Sequence, residues 1–173
     1  MVGLNSIYPS GRSQSASTVS HDGSSLVMIS GYNFDDDSQA LPSVLMKTIE
    51  GSRQEYLYPS LSRLASAVTL RTGEILVTGG LGSDREVWLS SPITPSTWNK
   101  RKDMLIGRKG HATAAITLGE QEVVVVAGGW DSSGQELASV LVYTPDQDMW
   151  NSLPNMPSTR VDFALKVGNM VTM

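Results

Sequence analysis

The sequence predicts an all-β fold made of repeated four-stranded antiparallel units, and three observations carry that prediction. Four arginines, Arg12, Arg63, Arg108 and Arg160, recur at spacings of 51, 45 and 52 residues, and each opens a similar pattern. A period of this size is the mark of a repeat architecture. Behind them come short apolar runs ending in small residues: Leu26-Val27-Met28-Ile29-Ser30-Gly31, Ile75-Leu76-Val77-Thr78-Gly79-Gly80, and Val123 to Val126 before Ala127-Gly128-Gly129. Such runs, bounded by turn residues, read as buried strands. Nowhere do apolar positions recur at i, i+3, i+4 and i+7 with helix caps, so helix is expected to be negligible.

Each unit then reads in order. Three residues after the arginine stands Ser15, Ser66, His111 or Phe163, and the next residue is Ala16, Ala67, Ala112 or Ala164, which places a first strand there. Asp22-Gly23, Thr72-Gly73, Gly119-Glu120 and Gly168-Asn169 follow as hairpin turns, because Gly, Asn and Asp tolerate positive φ. The apolar runs are second strands. Ser43 to Met46, Glu86 to Leu89 and Ser139 to Thr144 supply third strands. A fourth carries Trp98 or Trp150, each ten residues before the next arginine, with Arg53 at that spacing in the first unit.

The arginine, the Gly-Gly doublet, the Tyr-x-Pro step and the spaced tryptophan before Leu-Pro-x-Met-Pro together resemble the kelch repeat. The fullest copy is Arg108, His111-Ala112, Gly128-Gly129, Val142-Tyr143-Thr144-Pro145, Trp150, Leu153-Pro154 and Met156-Pro157. The second copy keeps Arg63, Gly79-Gly80 and Trp98; the first has Ser30-Gly31 for the doublet, which leaves its outer strand the least supported. The resemblance implies a β-propeller in which each repeat is a blade and neighbouring blades supply one another's core. Residues 1–173 then form a propeller portion with repeats at about 12–62, 63–107 and 108–159 and a partial repeat at 160–173. About three four-stranded blades are expected, with partial strands at both ends, Leu4 to Pro9 and Arg160 to Met173, and an incomplete ring. Propellers typically use 4 to 8 blades, so the expectation is a portion of a longer propeller, the alternative being a closed or self-associating form in which the N-terminal strand joins the C-terminal pair as an incomplete fourth blade.

Composition narrows the function. The chain is 40% hydrophobic and 17% charged, with no cysteine and a net charge of −4. Disulfides, thiolate metal sites and cysteine catalysis are excluded, and the dense basic stripe of a nucleic-acid binder is missing. The longest apolar stretch, Val123 to Ala127, is far shorter than the ~20 residues of a membrane helix, and Met1 to Arg12 shows no signal pattern; the address expected is cytoplasmic. His21 and His111 stand ninety residues apart, and His111 fills a position held by serine or phenylalanine in the sister copies, which assigns it to packing or hydrogen bonding. Asp35-Asp36-Asp37 lacks the spacing and final glutamate of a calcium loop, and Gly79-Gly80-Leu81-Gly82 lacks the ending of a phosphate loop. No catalytic residue, metal or cofactor is expected; the copper oxidases among kelch propellers need a cysteine that is absent here.

Strand alternation places the second-to-third loops and the connections to the next unit at one end. The aromatics and arginines there are of the types that anchor interfaces. The candidate partner-binding residues are Tyr32, Asn33, Arg63, Arg85, Arg108, Trp130, Asp131 and Arg160. The recurring arginines also have an architectural reading, as caps on the strand starts. The resemblance implies a protein or peptide partner, with substrate recruitment for a ubiquitin ligase or actin binding as the finer roles. The alternatives are a sugar-processing enzyme such as an epimerase, which would need His111, Arg108 and a carboxylate to converge, and a purely structural or adhesive role. Expressed alone, the 173 residues are expected to self-associate through open blade faces; a monodisperse monomer in sedimentation that melts cooperatively would contradict this.

Overall fold

The computed structural model describes residues 12–33, 41–92 and 94–165. Its strands are β1 (Arg12–Ser13), β2 (Ala16–Val19), β3 (Ser25–Ile29), β4 (Tyr32–Asn33), β5 (Ser43–Thr48), β6 (Arg53–Leu57), β7 (Ser66–Thr69), β8 (Ile75–Thr78), β9 (Val87–Ser90), β10 (Trp98–Lys100), β11 (Ala112–Leu118), β12 (Gln121–Ala127), β13 (Val140–Thr144) and β14 (Met149–Leu153). They form three four-stranded antiparallel blades in simple meander order, β2-β3-β5-β6, β7-β8-β9-β10 and β11-β12-β13-β14, while β1 pairs with β4 across the top of the first. The blades close no ring among the described residues. Among the described residues the one helical piece is a short 3-10 turn at Pro145–Gln147, ending on Asp148 at φ 50°.

The first blade's outer strand forms without a tryptophan. Arg53–Leu57 pairs along β5, and Glu55 ties its edge by accepting from Ser43 Oγ at 2.7 Å and Arg53 Nη2 at 3.0 Å. At the C-terminal end, residues 160–165 do not form the expected strand. Their backbone instead bonds to loops of the third blade, and the segment expected to pair with them, 170–173, lies outside the described residues, as do Leu4 to Pro9.

Apolar residues on alternate sides of each second strand build two seams. Val27 and Ile29 of the first blade meet Ile75 and Val77 of the second, with Val44 and Tyr58. Leu76, Val87 and Leu89 of the second blade meet Val124, Val126, Leu141, Tyr143 and Trp150 of the third. Trp150 is 6% exposed, its ring centroid is 4.7 Å from that of Tyr143, and its Nε1 donates to the Lys102 carbonyl at 2.8 Å. Hydroxyls join the innermost strands: Thr18 to Thr69 at 3.0 Å and Ser66 to Thr113 at 2.7 Å.

Backbone hydrogen bonds stitch blade to blade at the loop end. Leu64 N–H donates to the Gln14 carbonyl at 2.9 Å, Gly110 N–H to Leu64 at 2.8 Å, and Asp162 N–H to Gly110 at 2.9 Å. All four residues lie in the left-handed region, at φ 53°, 57°, 61° and 48°. The second glycine of each doublet makes a parallel stitch, Gly31 to the Ser62 carbonyl, Gly80 to Arg108 and Gly129 to Arg160, at 3.3, 2.9 and 2.8 Å.

These bonds correct the register of the second repeat. The residue two before each left-handed position is Arg12, Ser62, Arg108 or Arg160, so Ser62 and not Arg63 is the structural counterpart of Arg108. The ladder agrees: Ala16 faces Ile29, Ala112 faces Ala127, and their counterpart is Ser66 facing Thr78, not Ala67. Matching arginine to arginine slips the register by one residue, which exchanges the two faces of a strand.

Two outcomes are expected. Trp150→Ala should cost about 3 to 5 kcal/mol in denaturant unfolding, since it empties the seam and orphans a carbonyl. Gly80, at φ 108°, has Ser62 Oγ and the Arg63 carbonyl where a Cβ would sit. Gly80→Ala should therefore cost about 1 to 3 kcal/mol, measured in the same way.

Candidate functional site

The loop end of the blades is held rigidly. In the second blade Ser83 N–H closes a turn on the Gly80 carbonyl and Arg108 N–H donates to Asp84 at 2.8 Å. Arg85 locks onto the following connection: its carbonyl accepts Met104 N–H at 2.9 Å, and its Nε donates to the Met104 carbonyl at 2.9 Å. In the third blade Asp131 Oδ1 accepts from Ser133 Oγ, Ser133 N–H and Gln135 N–H at 2.6 to 2.9 Å, and these donors lower its pKa. Trp130 is paired on both sides with Lys109, N–H to carbonyl at 2.9 and 3.0 Å.

The two loops flank a groove of about 240 Å3 lined by Leu81, Gly82, Asp84, Lys109, Asp131 and Ser132. Leu61, Leu81 and Ile106 stand at this end 56%, 38% and 37% exposed. Single exposed leucines are ordinary on a surface; several on adjoining loops beside a groove supply contact area.

The sequence-derived candidates separate here. Arg85 and Arg160 are exposed, and Arg63, Trp130 and Asp131 are half-buried. The Trp130 ring lies against Gly110, where an added Cβ would come within 2.8 Å of its Cε3. Tyr32 and Asn33 are described in their backbone only, as β4 opposite Ser13 and Arg12.

Arg108 does not belong to the surface. It is fully buried, and its Nη1 donates to the Gly128 and Ser139 carbonyls at 2.9 and 3.1 Å while Nη2 donates to Ser139 Oγ at 3.0 Å. Ser62 Oγ does the same for the Gly79 carbonyl at 2.8 Å. In the second and third repeats this position thus satisfies a buried glycine carbonyl, and the architectural reading of the arginine holds for Arg108. No carboxylate pairs with it among the described residues, and burial lowers its pKa to about 10. Leu61, Leu81 and Ile106 begin loop segments that the sequence places at this end, but neither they nor Lys109 stood among its candidate residues, because the recurring arginines and the loop aromatics drew the assignment.

His111 sits in the same dry seam, Nε2 against Thr78 Oγ1 at 2.8 Å and Nδ1 without a partner. This fits the packing and hydrogen-bonding role expected for it. It shares the seam with the buried Arg108 cation, and among the described residues no carboxylate bonds to either of them.

Residues 121–157 match the Kelch motif family model. That stretch of the chain is a kelch repeat. Among relatives, alpha-scruin of Limulus polyphemus is 35% identical over 73 residues, 42% of this chain and 8% of that protein. Beta-scruin of the same animal is 31% identical over 117 residues, 62% of this chain and 12% of that protein. The F-box/kelch-repeat protein SKIP30 of Arabidopsis thaliana is 30% identical over 86 residues, 48% of this chain and 23% of that protein. The chain therefore spans under a quarter of the length of each of these relatives. The kelch propeller assigns the seams, the stitches and Trp150 to architecture, which leaves the loop end as the candidate site. Among the described residues no helix is long and apolar enough to cross a membrane.

Burial, and secondarily the Arg108 charge, lowers the His111 pKa from 6.5 to about 3. The unfolded chain therefore takes up a proton that the fold refuses, and stability falls as pH drops from 6.5 towards 3, by up to about 1.4 kcal/mol per pH unit. His111→Phe, which places at this position the residue found at Phe163, should flatten that part of the wild-type pH profile in equilibrium unfolding.

Proposed function

We propose that the loop end of this kelch propeller binds a protein partner. The observation that carries the reading is the groove of about 240 Å3 between two internally hydrogen-bonded loops, with Lys109 in its lining and exposed Leu61, Leu81 and Ile106 nearby. Rigid loops on a rigid scaffold cost little to order on binding, and this favours recognition. Arg63, Arg85, Trp130, Asp131 and Arg160 border the surface, with Tyr32 and Asn33 at the corresponding corner of the first blade. Lys109 makes no side-chain hydrogen bond or ion pair among the described residues, so its ammonium is available to a partner's acceptor.

The finer role we infer is recruitment of a substrate protein to a ubiquitin ligase, supported by the F-box/kelch-repeat relative. Actin binding is the other role that the family resemblance implies, and co-sedimentation with filamentous actin separates the two. A random peptide library selected on the wild-type protein should enrich sequences that Leu81→Glu with Lys109→Glu no longer retains, a loss of roughly tenfold or more in affinity. Enriched peptides that bind the double variant equally well, in a protein with an unchanged melting curve, would remove this face as the site.

A further inference from the structure

The opposite end of the blades carries the hairpins between first and second strands, and its two seams differ. In the first blade Ser20 N–H donates to the Ser25 carbonyl and Gly23 N–H to Ser20; in the second, Leu70 N–H donates to Glu74 and Gly73 N–H to Leu70. These bonds make Ser20 and His21 the counterparts of Leu70 and Arg71. Between the second and third blades the seam is shut. Leu70 is 2% exposed in the core, the Arg71 N–H meets both Glu122 oxygens at 3.0 and 3.1 Å, and Arg71 Nη2 donates to the Glu120 carbonyl at 2.9 Å. Only about 40 Å3 remains open there.

Between the first and second blades every one of those closures is missing. Serine replaces the leucine, histidine replaces the arginine, and the neighbouring hairpin presents Thr72 and Gly73 where the third blade presents Glu122. A cleft of about 190 Å3 results, with more apolar than polar surface and Met46 in its lining. Asp22 stands in its wall. Its Oδ1 accepts from Ser20 Oγ at 2.6 Å, Ser24 N–H at 3.0 Å and Ser24 Oγ at 2.8 Å, while Oδ2 accepts only from Ser24 Oγ. The hydroxyl of Ser20 and the donors of Ser24 hold its pKa at about 2, so the carboxylate is charged at every physiological pH. Glu74 lies on the neighbouring hairpin, and the turn at Ile49–Glu50 is bonded to the Ser24 carbonyl at 3.2 Å.

We infer that this cleft receives one arginine side chain of a partner protein, its methylene stem on Met46 and its guanidinium against Asp22. The choice follows from charge and from the molecule's own precedent. The Asp22 carboxylate makes no ion pair among the described residues and its Oδ2 carries a single donor, which calls for a cation; the chain as a whole carries −4, and the equivalent seam is bridged by an arginine of this chain. A long aliphatic stem suits the apolar lining, as a compact ion would not. The surface is separate from the loop-end groove and lies at the far end of the blades from it.

An amide-resolved NMR titration of the intact protein with Nα-acetylarginine amide tests this, with the norleucine and glutamate analogues as controls. Saturating shifts at Ser20, His21, Ser24 and Thr72 are expected with the arginine probe alone. Asp22→Asn should weaken that binding roughly tenfold or more, because a hydrogen-bonded charge pair is lost. Ser20→Leu, which borrows the residue that shuts the other seam, should abolish it. Equal shifts from norleucine or glutamate, shifts that do not saturate, or unchanged binding in Asp22→Asn would overturn the proposal. Should Ser20→Leu lose its dispersed spectrum, Asp22→Asn alone decides.

Discussion

Three antiparallel sheets become one body through backbone hydrogen bonds made at left-handed residues. Gln14, Leu64, Gly110 and Asp162 each turn the chain so that one blade's N–H finds the previous blade's carbonyl, and the doublet glycines add a second bond at nearly the same height. A side chain at Gly80 would displace the Ser62 hydroxyl and the Arg63 carbonyl, so the doublet is a requirement of close approach as much as of φ. The apolar seams stabilise the assembly, but the stitches set the angle and height at which the seams meet.

Arg108 shows how strongly that junction constrains chemistry. A guanidinium buried without a carboxylate is costly, and it is tolerated here because three of its contacts are fixed acceptors of the third blade. Ser62 fills the equivalent place with a neutral hydroxyl. The two solutions leave different surroundings. Beside Ser62 the seam is neutral, whereas beside Arg108 it holds a neutral His111 that cannot take a second positive charge in the same dry space.

Much of this was legible in the sequence, because strand positions are local. Turn residues, β-branched runs and the spaced tryptophans located the four strands of the second and third blades and the first three of the first blade, whose outer strand had only Arg53 at the tryptophan spacing. The register of the second repeat was not legible from identity, because Arg63 is an arginine beside the structural position and Ser62 is a serine on it. The burial of Arg108 depends on carbonyls 20 and 31 residues away, which no local pattern reveals. Arg85, Trp130 and Asp131 lie at the loop end, where Arg85 is bonded to Met104, the Trp130 backbone to Lys109, and Asp131 within its own loop. The open cleft at the hairpin end became visible only when hairpins of unequal length were superposed through their hydrogen bonds.

The stitches also decide how the molecule bears load. They lie at one end of the blades, while the hairpin end of the first seam has no cross-blade bond like that of Arg71 with Glu122. A force that spreads the hairpin ends apart meets apolar contact and two neutral hydroxyl bonds between the first two blades, Thr18 with Thr69 and Thr69 Oγ1 to the Val19 carbonyl. The same force meets charged hydrogen bonds between the second and third. The first seam is the compliant joint of the three blades, hinged on the backbone at Leu64.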